Sequence, residues 1–134
     1  YRLKEKLSLL VMYLIGYNYY HDKDRWTLNS LVDHLGLPQN DIHDLLKQLE
    51  NDRLILETGE PEPTYIPAKD LETIKLKEIV DSVRKDGEEK SLREKGYPSF
   101  PEIDSVIERI DESIHNTLGE ENLKNLILSR EQGS

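Results

Sequence analysis

Four histidines are the side chains best suited to acid–base or metal chemistry in this sequence. They are His21, His34, His43 and His115. Each belongs to a different predicted element, and only His34 and His43, on either side of a predicted turn, are placed to approach each other. Two imidazoles without a third carboxylate or thiolate do not complete a metal site. His21 is followed by Asp22 and Asp24, but this polar loop is typical of a solvated segment.

No catalytic motif accompanies these residues. The sequence has no glycine-rich phosphate loop, no H-E-x-x-H zinc motif and no G-x-S-x-G nucleophile elbow. It has no cysteine, which excludes disulfides, thiolate metal sites and cysteine nucleophiles. We therefore expect no catalytic residue, no metal and no cofactor.

A different chemistry, the recognition of base edges, is available near the middle of the chain. Gln39, Asn40, His43 and Lys47 lie together in a predicted helix. Glutamine and asparagine amides form paired hydrogen bonds with adenine, and lysine binds guanine. The four residues are therefore candidate DNA contacts, although isolated polar side chains are more typical of an ordinary exposed surface.

The segment that carries these side chains, residues 26–67, has the pattern of two short helices and a hairpin. Thr27 is a typical N-cap residue, Gly36 ends the first helix, and apolar residues recur at helical spacing in both helices. These residues are Leu28, Leu31, Val32 and Leu35, then Ile42, Leu45, Leu46 and Leu49. Two strands, 54–56 and 64–66, follow around a turn rich in glycine and proline. The order predicts a winged helix-turn-helix.

Helices are predicted on both sides of this unit. The first covers residues 3–17 and presents a wide apolar face, and another covers residues 76–84 after the hairpin. The last long helix begins with a capping box formed by Ser99 and Glu102 and continues to Leu118. A short helical tail follows after a glycine.

The predicted fold class is mainly α with a small β-hairpin wing, a winged helix-turn-helix with extra C-terminal helices. We predict a winged-helix domain over residues 1–84, a charged linker or loop over 85–98, a C-terminal helical extension over 99–129 and a tail over 130–134. The chain begins at a tyrosine, so we take it as a fragment of a longer protein. Its longest apolar run is far shorter than a membrane span of ~20 residues.

The last long helix carries an apolar seam. The seam consists of Ile103, Val106, Ile107, Ile110, Ile114 and Leu118. These residues recur at spacings of three and four, as in a short coiled coil. Two interpretations stay open: the seam covers the domain's own core, or it joins two copies of the chain. The candidate residues of a protein interface are Ile103, Ile107, Ile110 and Ile114.

Tyr17, Tyr19, Tyr20 and Trp26 form an aromatic group around a polar loop. Aromatic side chains on a basic patch can stack on nucleic-acid bases. Here the neighbouring charges are of mixed sign, so we expect packing against the helix-turn-helix instead.

The charges of the predicted winged helix argue against a polyanionic partner. The whole chain has a formal net charge of −9, with 27 acidic and 18 basic residues. Between residues 38 and 67, seven acidic residues outnumber two basic ones, Lys47 and Arg53, a balance of −5. Asp41 and Asp44, in the first turns of the second helix, repel phosphate, and DNA binding requires cations that neutralise it. We therefore expect that nucleic acid is not a partner.

A set of apolar segments marked by glycine and proline carries a family resemblance. The segments are Trp26–Leu28, Leu35–Pro38, Leu45–Leu49, Tyr65–Asp70, Ile74–Leu76 and Ile79–Val80. Together with the helix from Ile103 to Leu118, they resemble the cytoplasmic C-terminal region of the YihY/BrkB family. These are multi-spanning bacterial inner-membrane proteins once labelled ribonuclease BN. The ribonuclease label is implied by the resemblance only, and no catalytic residue is carried over.

The passage from the wing to the following helix is also similar to winged-helix repressors of the IscR type. That resemblance implies DNA binding by a dimer joined through a long helix after the wing, and in many members an iron–sulfur cluster held by cysteines. The present sequence departs from it in having no cysteine and an acidic second helix.

We expect from the sequence a non-catalytic regulatory or protein-interaction domain of a bacterial inner-membrane protein, on the cytoplasmic side of that membrane. Its partner would be another copy or the membrane portion of its own chain. One alternative is a DNA-binding transcriptional regulator that uses Gln39, Asn40, His43 and Lys47. A second alternative is a ribonuclease or its accessory domain.

Overall fold

The computed structural model describes residues 2–59, 61–84 and 100–132. The helices are α1 (Arg2–Tyr20), α2 (Leu28–Leu35), α3 (Gln39–Asn51), α4 (residues 76–84), α5 (Pro101–Leu118) and α6 (Leu123–Gln132), and the strands are β1 (Trp26–Thr27), β2 (Ile55–Thr58) and β3 (Thr64–Pro67). A 3-10 turn, Leu71–Thr73, precedes α4. The predicted fold class, mainly α with a small wing and extra C-terminal helices, is confirmed.

The helix-turn-helix forms for the local reasons that the sequence indicates. The Ser30 amide donates to Thr27 Oγ1 at 3.0 Å, and the Thr27 amide donates to Ser30 Oγ at 2.8 Å. α2 therefore begins with a capping box. Gly36 has φ +66° and ends α2 in the left-handed conformation. The buried residues of α3 are the four that the sequence predicts, Ile42, Leu45, Leu46 and Leu49.

The wing belongs to a three-stranded antiparallel sheet with the strand order β1-β3-β2. Trp26 pairs with Tyr65, and Ile55 pairs with Pro67. Ile55 and Tyr65 are buried, so their face of the sheet covers the core. The predicted hairpin is confirmed, but the sequence does not reveal β1, because two residues are too few to show an alternating pattern.

The first helix supplies part of the core and anchors the sheet. Met12 and Ile15 are buried, and Trp26 Nε1 donates a hydrogen bond to the Leu14 carbonyl oxygen at 3.0 Å. α1 extends past the predicted end at Tyr17 to Tyr20.

α4 connects the C-terminal end of α3 with α5. The Ser82 hydroxyl donates a hydrogen bond to the Asp52 carboxylate, which directly follows α3. The adjacent residue, Asp81, pairs with His115 Nε2 of α5 at 2.7 Å. Two consecutive residues of α4 therefore contact both the helix-turn-helix and the C-terminal extension.

The start of α5 differs from the prediction. Phe100 is the N-cap and makes no side-chain cap hydrogen bond, and Pro101 is the first helical residue. Glu102 is then the second helical residue, whereas a capping box requires it at the third. The predicted capping box is therefore wrong. Ser99 and the predicted linker over 85–98 lie outside the described residues.

Candidate nucleic-acid interface

The exposed side of α3 brings the four candidate DNA contacts together. Gln39, Asn40, His43 and Lys47 are all exposed. At about 100° per residue, they fall within an arc of about 100° on the helix circumference, clear of the buried stripe. Lys47 lies near Glu57 of β2, so this arc, the α3 contact arc, is on the side of α3 next to the wing.

The acidic residues in the first turns of α3 lie to one side of the contact arc. Asp41 is roughly 150° from the middle of the arc, and Asp44 is about 40° beyond its edge. Both are exposed, and Asp44 Oδ1 lies 3.7 Å from His43 Nδ1. The Asp44 carboxylate therefore borders the candidate contacts, whereas the Asp41 carboxylate lies well away from them.

Lys47 is the only lysine of α3, and it lies between two carboxylates. Its ammonium is 3.9 Å from Glu50 Oε1 and 3.8 Å from Glu57 Oε2. Burial, and then the Glu57 and Glu50 carboxylates, raise the pKa of the Tyr65 phenol. With two carboxylates near one ammonium, negative charge is in excess at the junction of α3 and the wing.

The wing combines an acidic tip with a cation from elsewhere in the chain. Asn29 Nδ2 donates to Glu62 Oε1 at 3.1 Å, which turns Glu62 toward the start of α2. Glu60 lies outside the described residues. Arg25 is exposed, and its Nη1 donates to Thr58 Oγ1 of β2 at 3.1 Å. The sequence does not indicate Arg25 as a site residue, because this contact joins residues far apart in the chain. The only local signal is the position of Arg25 directly before β1.

The histidines that suggested metal chemistry have separate surroundings. The His34 ring packs against Trp26 with 5.2 Å between centroids, whereas His43 is exposed on α3. The His21 ring lies 4.4 Å from the Tyr17 ring. Across residues 2–59, 61–84 and 100–132, no three potential ligands are grouped as a metal ion requires.

Two of the four aromatic residues pack as predicted. Tyr17 and Trp26 are partly buried against the core, but Tyr19 and Tyr20 are 50% and 43% exposed. The prediction is wrong for these two because α1 continues to Tyr20, and its last turn extends beyond the core.

The candidate protein-interface residues form an apolar stripe on α5. Ile103, Ile107 and Ile110 are 56%, 40% and 45% exposed, and Ile114 is partly buried. No residue of α5 is buried by the described parts of the chain. In the described residues, the N-terminal half of this stripe does not cover the core. Its apolar side chains are therefore available to contact a partner.

Solved structures share this fold, whereas no protein-family model and no curated protein matches the chain. CymR, the global cysteine regulator of B. subtilis, has a TM-score of 0.66 and 15% identity over 94% of this chain and 94% of that chain. T. potens IscR has a TM-score of 0.71 and 20% identity over 98% of this chain and 88% of that chain. A proposed DNA-binding protein has a TM-score of 0.66 and 15% identity, over 92% of this chain and 98% of that chain. At these identities the likeness establishes the fold.

These neighbours correct the predicted partners. The expectation that nucleic acid is not a partner is wrong, because the fold is shared with regulators and with a proposed DNA-binding protein. The similarity to IscR-type proteins is confirmed for the fold. The neighbours give no support to the YihY/BrkB resemblance or to a membrane portion as partner. Every helix in the described ranges falls short of the length or hydrophobicity that a bilayer crossing requires.

Proposed function

We propose that the chain is a DNA-binding transcriptional regulator of the winged-helix class. The observation that carries the proposal is the α3 contact arc, where Gln39, Asn40, His43 and Lys47 are exposed together beside the wing. In helix-turn-helix proteins the second helix enters the major groove and reads base edges. The amides of the first two residues suit adenine.

The acidic surroundings of the α3 contact arc indicate how the affinity of such a protein for DNA depends on sequence and on salt. Few cations are available to neutralise phosphates, so affinity for random DNA is low and depends only weakly on salt. Selectivity then comes from the base-edge contacts of α3. Arg25 adds a cation at the wing, because its guanidinium donates to the neutral hydroxyl of Thr58 in β2.

The proposal includes a second copy of the chain, paired through α5. The stripe of Ile103, Ile107, Ile110 and Ile114 supports it, because residues at this spacing pair helices in coiled coils. A two-fold pair presents two copies of α3 to half-sites about one helical turn, ~34 Å, apart.

Selection from a library of random duplexes tests the proposal, with affinities measured by fluorescence anisotropy. We expect Asn40→Ala to weaken binding to the selected site by roughly 5- to 150-fold, because one base contact contributes about 1–3 kcal/mol. Its affinity for random DNA should not change. Asn51→Ala, the same substitution at the far end of α3, is the control and should retain the affinity. A library from which no site is enriched would overturn the proposal.

A further inference from the structure

Lys47 is the only fixed cation in the α3 contact arc, and carboxylates already surround it. Glu50 stands one helical turn further along α3, and Glu57 reaches Lys47 from β2. The second contact crosses from the wing to the helix, so it exists only when the two are packed together.

The geometry of this arrangement does not suit a stabilising salt bridge. Both separations, 3.9 Å to Glu50 and 3.8 Å to Glu57, are longer than a charge-assisted hydrogen bond. Lys47 is 51% exposed, and exposed ion pairs contribute little to folding. The two carboxylates therefore add little to folding through Lys47, and their main effect here is on the charge that an approaching anion meets.

A second observation indicates that the negative charge of Glu50 and Glu57 exceeds what Lys47 neutralises. Glu50 Oε1 is buried, and no hydrogen-bond donor among the described residues reaches it. With two carboxylates around one ammonium, the local charge is negative even when Lys47 is protonated. A DNA phosphate that approaches Lys47 therefore has to displace Glu57 and meets net repulsion until it does.

We infer that Glu57 is a specificity-determining residue of the proposed DNA interface. Its carboxylate keeps Lys47 from binding the phosphates of DNA of arbitrary sequence. This inference rests on the proposed function. Random DNA gains no counterion release at Lys47 while Glu57 holds it. At a preferred site, the neighbouring base contacts of Gln39, Asn40 and His43 bring the backbone close enough to compete for the lysine.

Glu57→Gln tests the inference because it removes the charge and keeps the size of the side chain. We expect binding to a random-sequence duplex to become roughly five- to tenfold tighter at ~0.1 M salt. The slope of log affinity against log salt should steepen by about 0.9, the value for one additional phosphate. The control is Glu72→Gln, which removes the same charge from the Glu72–Lys124 ion pair in the 3-10 turn and should leave both quantities unchanged.

A double-mutant cycle with Lys47→Gln separates release of the lysine from a general loss of repulsion. If Glu57 acts through Lys47, Glu57→Gln tightens binding to random DNA much less in the Lys47→Gln background than in the parent chain. An equal gain in both backgrounds, or an equal gain in Glu72→Gln, overturns the inference while leaving the proposed function intact. Absence of DNA binding by the wild-type chain and by every variant overturns both.

Discussion

At the scale of single residues, the neighbours of a charged side chain in space decide whether it is available to bind a partner. Lys47 stands on the contact arc, but two carboxylates lie within 4 Å of its ammonium. Arg25 comes from a loop outside the helix-turn-helix, and its guanidinium donates to the neutral hydroxyl of Thr58. A count of charges along the chain treats these two cations alike, although their surroundings in the folded chain differ.

Thr27 is a residue whose contribution to stability can be measured alone. Its hydroxyl accepts the Ser30 amide at the start of α2, so Thr27→Ala leaves that amide without its cap. We expect the free energy of unfolding to fall by about 1 kcal/mol, with an unchanged denaturant dependence in urea titrations. The control is Ser105→Ala, which removes the hydroxyl group of an exposed serine in α5. Equal stability of both variants would show that the capping box is not formed in solution.

At the scale of elements, the close approach of α1 and α6 depends on a glycine. A Cβ atom at Gly16 would lie 3.0 Å from Leu123 Cδ2 and 3.1 Å from Ile127 Cδ1. Both partners are fully buried, so the two helices meet where α1 has no side chain. Glycine disfavours a helix interior, and this packing explains why Gly16 nevertheless lies inside the continuous helix α1.

Substitutions at Gly16 test this packing. We expect Gly16→Val to lower the free energy of unfolding by about 1–3 kcal/mol, because its methyl groups overpack the contact with α6. Gly16→Ala should stay within about 1 kcal/mol of the parent, since alanine favours the helix by about 0.5–1 kcal/mol and offsets its tighter contact. Thermal unfolding of both variants measures the difference. A valine variant as stable as the parent would mean that α6 does not pack on this face of α1.

At the scale of the whole molecule, α4 connects the helix that carries the α3 contact arc with the exposed stripe of α5. Ser82 contacts the residue after α3, and Asp81 contacts His115 of α5. A partner that binds α5 is therefore connected through α4 to α3, the helix proposed to enter the major groove. In the proposed dimer, these contacts contribute to the distance between the two copies of α3.

Ile107→Asp tests the pairing of two copies through α5. We expect the parent chain to sediment as a dimer and the variant as a monomer, because a carboxylate in the apolar stripe loses its solvation when two helices pair. Asn116→Asp adds the same charge nine residues later, on the opposite side of the helix, and should remain dimeric. A parent chain that sediments as a monomer at every concentration would contradict the pairing.

The sequence by itself determined the elements whose causes are local. Thr27 and Gly36 cap the helix that they bound, and the apolar repeat of α3 lies within α3 itself. Because these signals are local, the helix-turn-helix and the wing could be predicted. For the same reason Gln39, Asn40, His43 and Lys47 could be placed together on one helix, while their role as DNA contacts stays a prediction.

The tertiary structure alone decided the features that join distant parts of the chain. Pairing of β1 with β3, the reach of Arg25 to Thr58 and the approach of Glu57 to Lys47 all connect separate elements. The exposure of the α5 stripe likewise depends on how α5 sits against the other elements. Electrostatic and packing energies depend on distances in space, and separation along the chain does not specify those distances. The predicted partners were corrected by the structural neighbours and not by the charges, because Lys47 remains surrounded by carboxylates in the folded chain.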